Sequence, residues 1–215
     1  MVESPASKES IALSIINFGL AKAKNPCVCF SGGKNSLALL HMVKMQGPGR
    51  LSVIHADAGS EFSEVQSYIR KMKKLWKFEL IIVKRDDPTE DSLSKMPCSC
   101  TSRVAKMLPE ILSKNNYDGI FIGETLDSGN FLSEELKKYP GLFSVTVSPI
   151  ISFTNADIWD YIRIHHIPIC SLYDKGYQEI GCISCGRKGD VTPQNNIGQA
   201  DEKIMREKLR KLGYL

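Results

Sequence analysis

No run in this sequence is apolar and long enough to span a bilayer. The first residues, Met-Val-Glu-Ser-Pro-Ala-Ser-Lys, contain no apolar h-region of a secretory signal. Membrane-spanning and secreted classes are thereby set aside, and a reducing, cytoplasmic setting is expected. There is no internal repeat, no low-complexity tract and no composition break that marks a second large domain. Charge of neither sign dominates: the net value is +4, which suits phosphate-bearing ligands without demanding nucleic acid.

What remains is an ordinary globular composition, 42% hydrophobic and 24% charged over 215 residues. That length supports one α/β domain with a sizeable core, or a domain plus a small appendage. The cysteine count is seven, an odd number without a secretory signal. Clustered cysteines are therefore weighed first as metal or cluster ligands rather than disulfides.

The most informative stretch is Phe30-Ser31-Gly32-Gly33-Lys34-Asn35-Ser36. It follows the apolar run Pro26–Phe30 and opens a run with helical spacing, Leu37–Val43. A strand, a turn with two glycines and a helix N-terminus form an anion cradle, because glycine admits close backbone approach and the first helical N–H groups point outward. Lys34 adds positive charge, and Ser31 and Ser36 add hydroxyls. The loop is neither the G-x-x-x-x-G-K-[ST] P-loop nor G-x-G-x-x-G, and an ordinary strand-to-helix turn is compatible with the same six residues.

Along the chain, Ser7 to about Lys24 predicts a helix with Ile11, Ile15, Ile16 and Leu20 inward and Ser7 as a candidate cap. Strands are expected at 27–30, 51–56, 78–83, 118–123 and 143–149, and helices at 36–45, 64–76 and 103–114. This alternation argues for βαβ units and a parallel sheet. Asp57 falls at the end of the second strand, where ligands of open parallel sheets bind; a ribose or metal contact and a cap for the next helix are both open. Asp86 to Pro97 reads as a polar loop, and the stretch from Glu124 to Tyr139 leaves room for a helix after Asn130. Thr154-Asn-Ala-Asp157 has capping-box spacing before Ile158–Ile162. Residues 170–189 read as irregular. The domain is placed at 1–190, followed by a linker and a charged helix over 201–212 within 191–215.

The cysteines divide by context. Cys27 and Cys29 alternate on an expected buried strand and read as small hydrophobes. Cys170 is isolated. Cys98-x-Cys100 and Cys182-x-x-Cys185 lie in loops and together offer four soft ligands, enough for zinc or an iron–sulfur cluster; spacing does not choose between them. Arg103, Lys106, Arg187 and Lys188 flank these pairs. They are either a solvated surface or cations that offset thiolate charge and attract an anionic substrate.

Four blocks resemble the phosphoadenosine phosphosulfate (PAPS) reductase family of the N-type ATP pyrophosphatases. They are Ser31–Ser36, His55-Ala-Asp57-Ala-Gly59-Ser-Glu-Phe62-Ser-Glu64, Pro149–Tyr161, and Leu172-Tyr-Asp-Lys-Gly-Tyr-Gln-Glu-Ile-Gly-Cys182. The resemblance runs from about Pro26 to Lys188. It implies an adenine-nucleotide α-hydrolase-like fold, an open five-stranded, mostly parallel sheet with helices on both faces. It implies that Ser31, Gly32, Gly33, Lys34, Asn35 and Ser36 hold phosphate or sulfate of ATP, adenylyl sulfate or PAPS, with Asp57 and Gly59 near the adenosine. Mg is implied as the companion of ATP. Cys98, Cys100, Cys182 and Cys185 would hold a [4Fe–4S] cluster, or zinc, as in the adenylyl-sulfate reductases.

This sequence departs from the family pattern in four places. Asn35 stands where ATP-using members usually carry Asp. Ser99 splits a cysteine pair that is adjacent in the reductases. No cysteine follows Cys185, whereas the reductases carry a nucleophilic one in the C-terminal tail. Glu124 follows Gly123, where family members often place arginine. Three readings follow. One is a sulfonucleotide enzyme completed by an external thiol or a thioredoxin-like reductant. Another is an ATP-dependent, pyrophosphate-releasing enzyme acting on tRNA or a carrier. The last is a nucleotide-binding module without catalysis. Catalytic residues stay unassigned, and a homo-oligomer is compatible with all three.

Overall fold

In the computed structural model the apolar runs of the sequence become the strands of one sheet. The structure describes residues 5–47, 49–57, 59, 61–84, 100–128, 131–138, 141, 145–183 and 186–188. The elements in chain order begin with α1 (Pro5–Lys22), β1 (Pro26–Cys29), α2 (Lys34–Met45), β2 (Ser52–Asp57), α3 (Ser63–Trp76) and β3 (Glu79–Lys84). They continue with α4 (Cys100–Lys114), β4 (Gly119–Phe121), α5 (Phe131–Leu136), β5 (Val145–Val147), α6 (Asn155–Ile164), β6 (Tyr177–Glu179) and β7 (Arg187–Lys188). The five-stranded sheet has the order β3-β2-β1-β4-β5, and every neighbouring pair in it is parallel. Cys27 of β1 pairs with Ser52 on one side and Ile120 on the other.

Central strands of a parallel sheet are covered on both faces, which is why they read as continuous apolar runs. Val28, Phe30, Val53 and Phe121 join the core under α1, α2, α3 and α6. Cys27, Ile54, Ile120 and Ile122 join a second core with Leu108 and Leu112 of α4 and Leu136 of α5. Cys27 and Cys29 therefore share a face, as the alternation predicts. Strand β3 lies at the sheet edge and carries charged ends, Glu79 and Lys84, which discourage further pairing.

Three expectations are corrected. Helix α1 turns Ala12, Ile16, Gly19 and Ala23 inward, while Ile11 is 45% exposed. The cause is close approach: a Cβ at Gly19 would lie 2.8 Å from the Phe121 ring and 3.0 Å from Val147 Cγ2. Small residues let the helix backbone sit on the sheet and Ile11 turns outward, while Ile16 is buried and Ile15 and Leu20 pack against the core as expected. Helix α1 also starts at Pro5, so Ser7 lies within its first turn instead of capping it. In the stretch expected to be irregular, β6 and β7 form a small antiparallel pair, with Tyr177 opposite Lys188 and Glu179 opposite Arg187.

Helix α6 opens on the expected capping box. Thr154 accepts the Asp157 N–H, and the Asp157 carboxylate accepts the Thr154 N–H at 2.7 Å. The expected loop at 86–97, the boundary at 190, the linker and the helix at 201–212 lie outside the described residues. No described helix is long and apolar enough to cross a membrane.

Candidate functional site

Strand order sets the place. The chain runs β1, β2, β3 toward one edge and returns through β4 and β5 toward the other, so order reverses between β1 and β4. Ligands of open α/β sheets bind outside the carboxyl ends of strands at such a reversal. The Ser31–Ser36 turn lies at this point. Gly32 has φ +82, and a Cβ there would lie 2.8 Å from Val65 Cγ1, so glycine is required on both counts. Gly33 is the N-cap of α2 in extended conformation, with no side-chain capping bond. The serines close the turn: Ser36 Oγ donates to Gly33 O at 2.9 Å, receives the Ser31 N–H at 3.2 Å, and lies 3.0 Å from Ser31 Oγ. The chain after β4 presses on this turn, because a Cβ at Gly123 would lie 2.8 Å from Ser36 Cα. Asn35 Nδ2 reaches Thr125 Oγ1 at 3.5 Å.

Lys34 is only 2% exposed. Its ammonium donates to Gln178 O at 3.1 Å and pairs with the Glu179 carboxylate of β6. Its N–H donates to Tyr173 Oη at 2.7 Å. In this structure the lysine thus ties the turn to the Tyr173–Glu179 segment. Asp57 is buried and accepts the Gly59 N–H at 2.9 Å and Gln66 Nε2 at 3.4 Å. Gly59 adopts φ +92 in that turn. The N-cap of α3 is Phe62, so Asp57 does not cap the following helix.

Three groups were given no role by sequence reasoning, although Glu124 was noted as a departure after Gly123. His55, buried on β2, donates Nδ1–H to Phe30 O at 2.9 Å and places Nε2 2.9 Å from Glu61 Oε1. Burial opposes its charge, but the Glu61 bond and charge and the Phe30 carbonyl outweigh burial and raise its pKa. Both ring nitrogens face acceptors, which the imidazolium satisfies together. Tyr173 is the second, packed at 5.0 Å edge-on against Trp159. The third is Glu124, 7% exposed. Its Oε1 accepts the N–H groups of Leu132 at 2.7 Å and Ser133 at 3.1 Å. Burial pushes its carboxyl up, and bonds from Ser133, Leu132 and Ser148 pull it partly back. The signal for His55 and Glu124 was a polar residue within or at the end of an apolar strand run.

Glu124 lines a cleft of about 230 Å³ beside the glycine turn, with Ser31, Ser36 and Ser128 as further polar groups. Its walls are apolar, chiefly Ile54, Val104, Leu108, Ile122 and Leu132. Cys29 also faces it, and burial plus the Glu124 charge push that thiol up to about 12. The Cys27 thiol is raised further, by burial and by Cys29. Both stay protonated at neutral pH, as small hydrophobes rather than nucleophiles.

Of the four cysteines assigned to a metal, Cys182 is buried and pairs with Glu61 through an isolated bridge. The turn that follows is closed by the Gly186 N–H on Cys182 O at 2.9 Å, and Gly186 packs against the Phe62 ring. Cys98 and Cys185 lie outside the described residues. Cys100 opens α4 and Arg103 lies in its first turn, with side chains outside the description. Lys106 is exposed on α4. Arg187 and Lys188 are exposed on β7, with Lys188 Nζ 5.1 Å over the Tyr177 ring. Among the described residues no group of three His, Cys, Asp or Glu could hold a metal ion.

Comparison with known proteins fits this geometry. The adenosine 5'-phosphosulfate reductase of Bacillus cereus is 27% identical over 190 residues, covering 81% of this chain and 79% of its own. A Candida auris phosphoadenylyl-sulfate reductase in a phosphate complex superposes with a TM-score of 0.61 at 14% identity, over 87% of this chain and 98% of that one. A Candida glabrata FMN adenylyltransferase in complex with ATP gives 0.63 at 17% identity, over 95% and 80%. These neighbours share the fold, which is adenine nucleotide α-hydrolase-like. The phosphoadenosine phosphosulfate reductase domain matches residues 25–188, the whole sheet together with the β6–β7 pair, and the chain belongs to that family.

Proposed function

We propose that the chain is an enzyme of sulfur metabolism that binds an adenosine phosphosulfate on the Ser31–Ser36 turn beside a four-cysteine cluster. The observation that carries this reading is the turn itself: two glycines and two serines wound at the N-terminus of a buried helix, at the reversal of strand order. Asp57 and Gly59 border the adenosine. Arg103, Lys106, Arg187 and Lys188 draw in the anionic end of the ligand. Cys98, Cys100, Cys182 and Cys185 are the ligands for a [4Fe–4S] cluster, with zinc as the other metal that four thiolates suit. When bound, such a cluster would supply redox capacity near the phosphosulfate, with the flanking cations offsetting its net negative charge. Cys182 supports the role, since it is buried and its carbonyl accepts the Gly186 N–H. An external thiol or a thioredoxin-like protein supplies the reducing equivalents, in a cytoplasmic setting.

A second reading is favoured by Glu124. A carboxylate beside the phosphate turn suits an acceptor substrate better than a second anion. The chain would then use ATP, with Mg, to adenylylate a tRNA or carrier and release pyrophosphate; the ATP-bound adenylyltransferase shares this fold. A non-catalytic nucleotide-binding module is the remaining outcome. Anaerobic purification followed by a visible spectrum, metal analysis and binding of ATP, adenylyl sulfate and PAPS separates them. A brown protein with tight adenylyl-sulfate binding supports the first. One zinc, no colour and ATP-dependent pyrophosphate release sink it in favour of the second. Nucleotide binding without turnover under either condition leaves the module.

A further inference from the structure

Donors of the glycine turn are already answered in this structure by oxygens of the chain itself. Lys34 Nζ donates to Gln178 O at 3.1 Å and pairs with the Glu179 carboxylate. The Lys34 N–H, the first of α2, donates to Tyr173 Oη at 2.7 Å. The same segment closes over Gly33, where a Cβ would lie 3.6 Å from Ile180 O and 3.8 Å from Tyr173 Oη. These are the donors that a phosphate seated on the turn would use. The two ends of the ion pair differ: the Lys34 side chain is 2% exposed and that of Glu179 is 55% exposed. A buried ammonium left alone is costly, whereas a half-exposed carboxylate returns to water readily. Lys34 therefore needs an anion at all times, but that anion need not be Glu179. Arg187 stands opposite Glu179 in the β6–β7 ladder and is exposed, a second cation for the carboxylate once it lets go.

We propose that the Tyr173–Ile180 segment is an autoinhibitory cover of the phosphate turn, with the Glu179 carboxylate as an internal substitute for an anionic oxygen of the ligand. This rests on the proposed phosphate site and adds the way that site is opened. Lys34 exchanges one counter-ion for another: a phosphate or sulfate oxygen reaches the ammonium as Glu179 leaves toward Arg187 and solvent. While the segment is in place the ammonium has almost no open surface, so the ligand reaches it only by displacing the cover. A neutral ligand cannot make the exchange, because it would leave the buried ammonium uncompensated.

The test is calorimetric titration of the full-length protein with inorganic pyrophosphate, in the wild type, Glu179→Gln and Asp174→Asn. Asp174 is exposed on the same segment and, among the described residues, does not pair with Lys34. Glu179→Gln is expected to bind pyrophosphate about tenfold more tightly than the wild type, the scale of one hydrogen bond to a charged group. Asp174→Asn is expected to stay within about twofold, the scale of a screened surface charge. Equal or weaker binding in Glu179→Gln overturns the cover and leaves the phosphate turn standing. So does an equal gain in Asp174→Asn, which marks a general charge effect. Binding by Glu179→Gln alone is the expected result in its strongest form. If none of the three proteins binds, the phosphate reading itself falls and this inference with it. Hydrogen exchange of the wild type decides even if a variant does not fold. Bound pyrophosphate should speed exchange across residues 177–182, and unchanged or slowed exchange there overturns the cover.

Discussion

His55 is a residue whose role is set by what the fold brings to its two nitrogens. The Phe30 carbonyl on β1 and the Glu61 carboxylate after β2 both demand a donor. The ring therefore fastens the start of the glycine turn to the loop that carries Cys182's bridging partner. Its raised pKa means that the folded state holds the proton more tightly than the unfolded chain does. That stabilisation is complete below the ordinary histidine value near 6.5 and is lost as pH rises through the higher folded-state value. Urea unfolding across this range should show stability falling with pH above neutrality. In Glu61→Gln the fall should vanish and the His55 resonance should titrate at lower pH. A wild-type His55 that titrates below the unperturbed value contradicts the ion pair. Nothing local in the sequence pointed to this pairing, because a polar residue in a strand looks the same whether it is satisfied or functional.

At the scale of elements, local signals were legible where local physics decides. The Thr154–Asp157 box was readable because its bonds span three residues, and the helix starts where they place it. Asp157 gains a further partner from α1, Lys8 Nζ at 2.7 Å. Burial raises the Asp157 carboxyl, but Lys8 and the Thr154 donors outweigh it and hold the pKa below the ordinary value. Asp157→Ala should cost about 1 kcal/mol by removing the reciprocal cap. It should also flatten the loss of stability on acidification, which in the wild type sets in as pH falls through the lowered value. Denaturant melts at two pH values check both; equal acid sensitivity in the two proteins would refute the assignment. The central strands were likewise legible, since burial on both faces leaves continuous apolar runs. The β6–β7 pair was not, because two strands of three and two residues carry no period. On α1 only Ile11 was misplaced, because Gly19 brings the helix close onto Phe121, an approach that composition does not announce. Lys34 was legible as a residue of the turn but not as the partner of Glu179, which lies 145 residues away.

At the scale of the whole molecule, the β6 segment links the glycine turn to Cys182. Lys34 and Tyr173 hold the glycine turn to one end of that segment, and Cys182 lies three residues beyond Glu179. A ligand that pulls on Lys34 therefore acts on the strand that leads to the cysteine turn. The central claim is that the Ser31–Ser36 turn is the phosphate or phosphosulfate cradle, and backbone amides report on it directly. Titration of uniformly ¹⁵N-labelled protein with adenosine 5'-phosphosulfate, and separately with ATP, follows every amide at once. The largest shifts are predicted at Ser31 through Ser36, with smaller ones at Gly123, Glu124 and the Tyr173–Glu179 segment. Saturable shifts centred elsewhere, with residues 31–36 unmoved by either nucleotide, would contradict it.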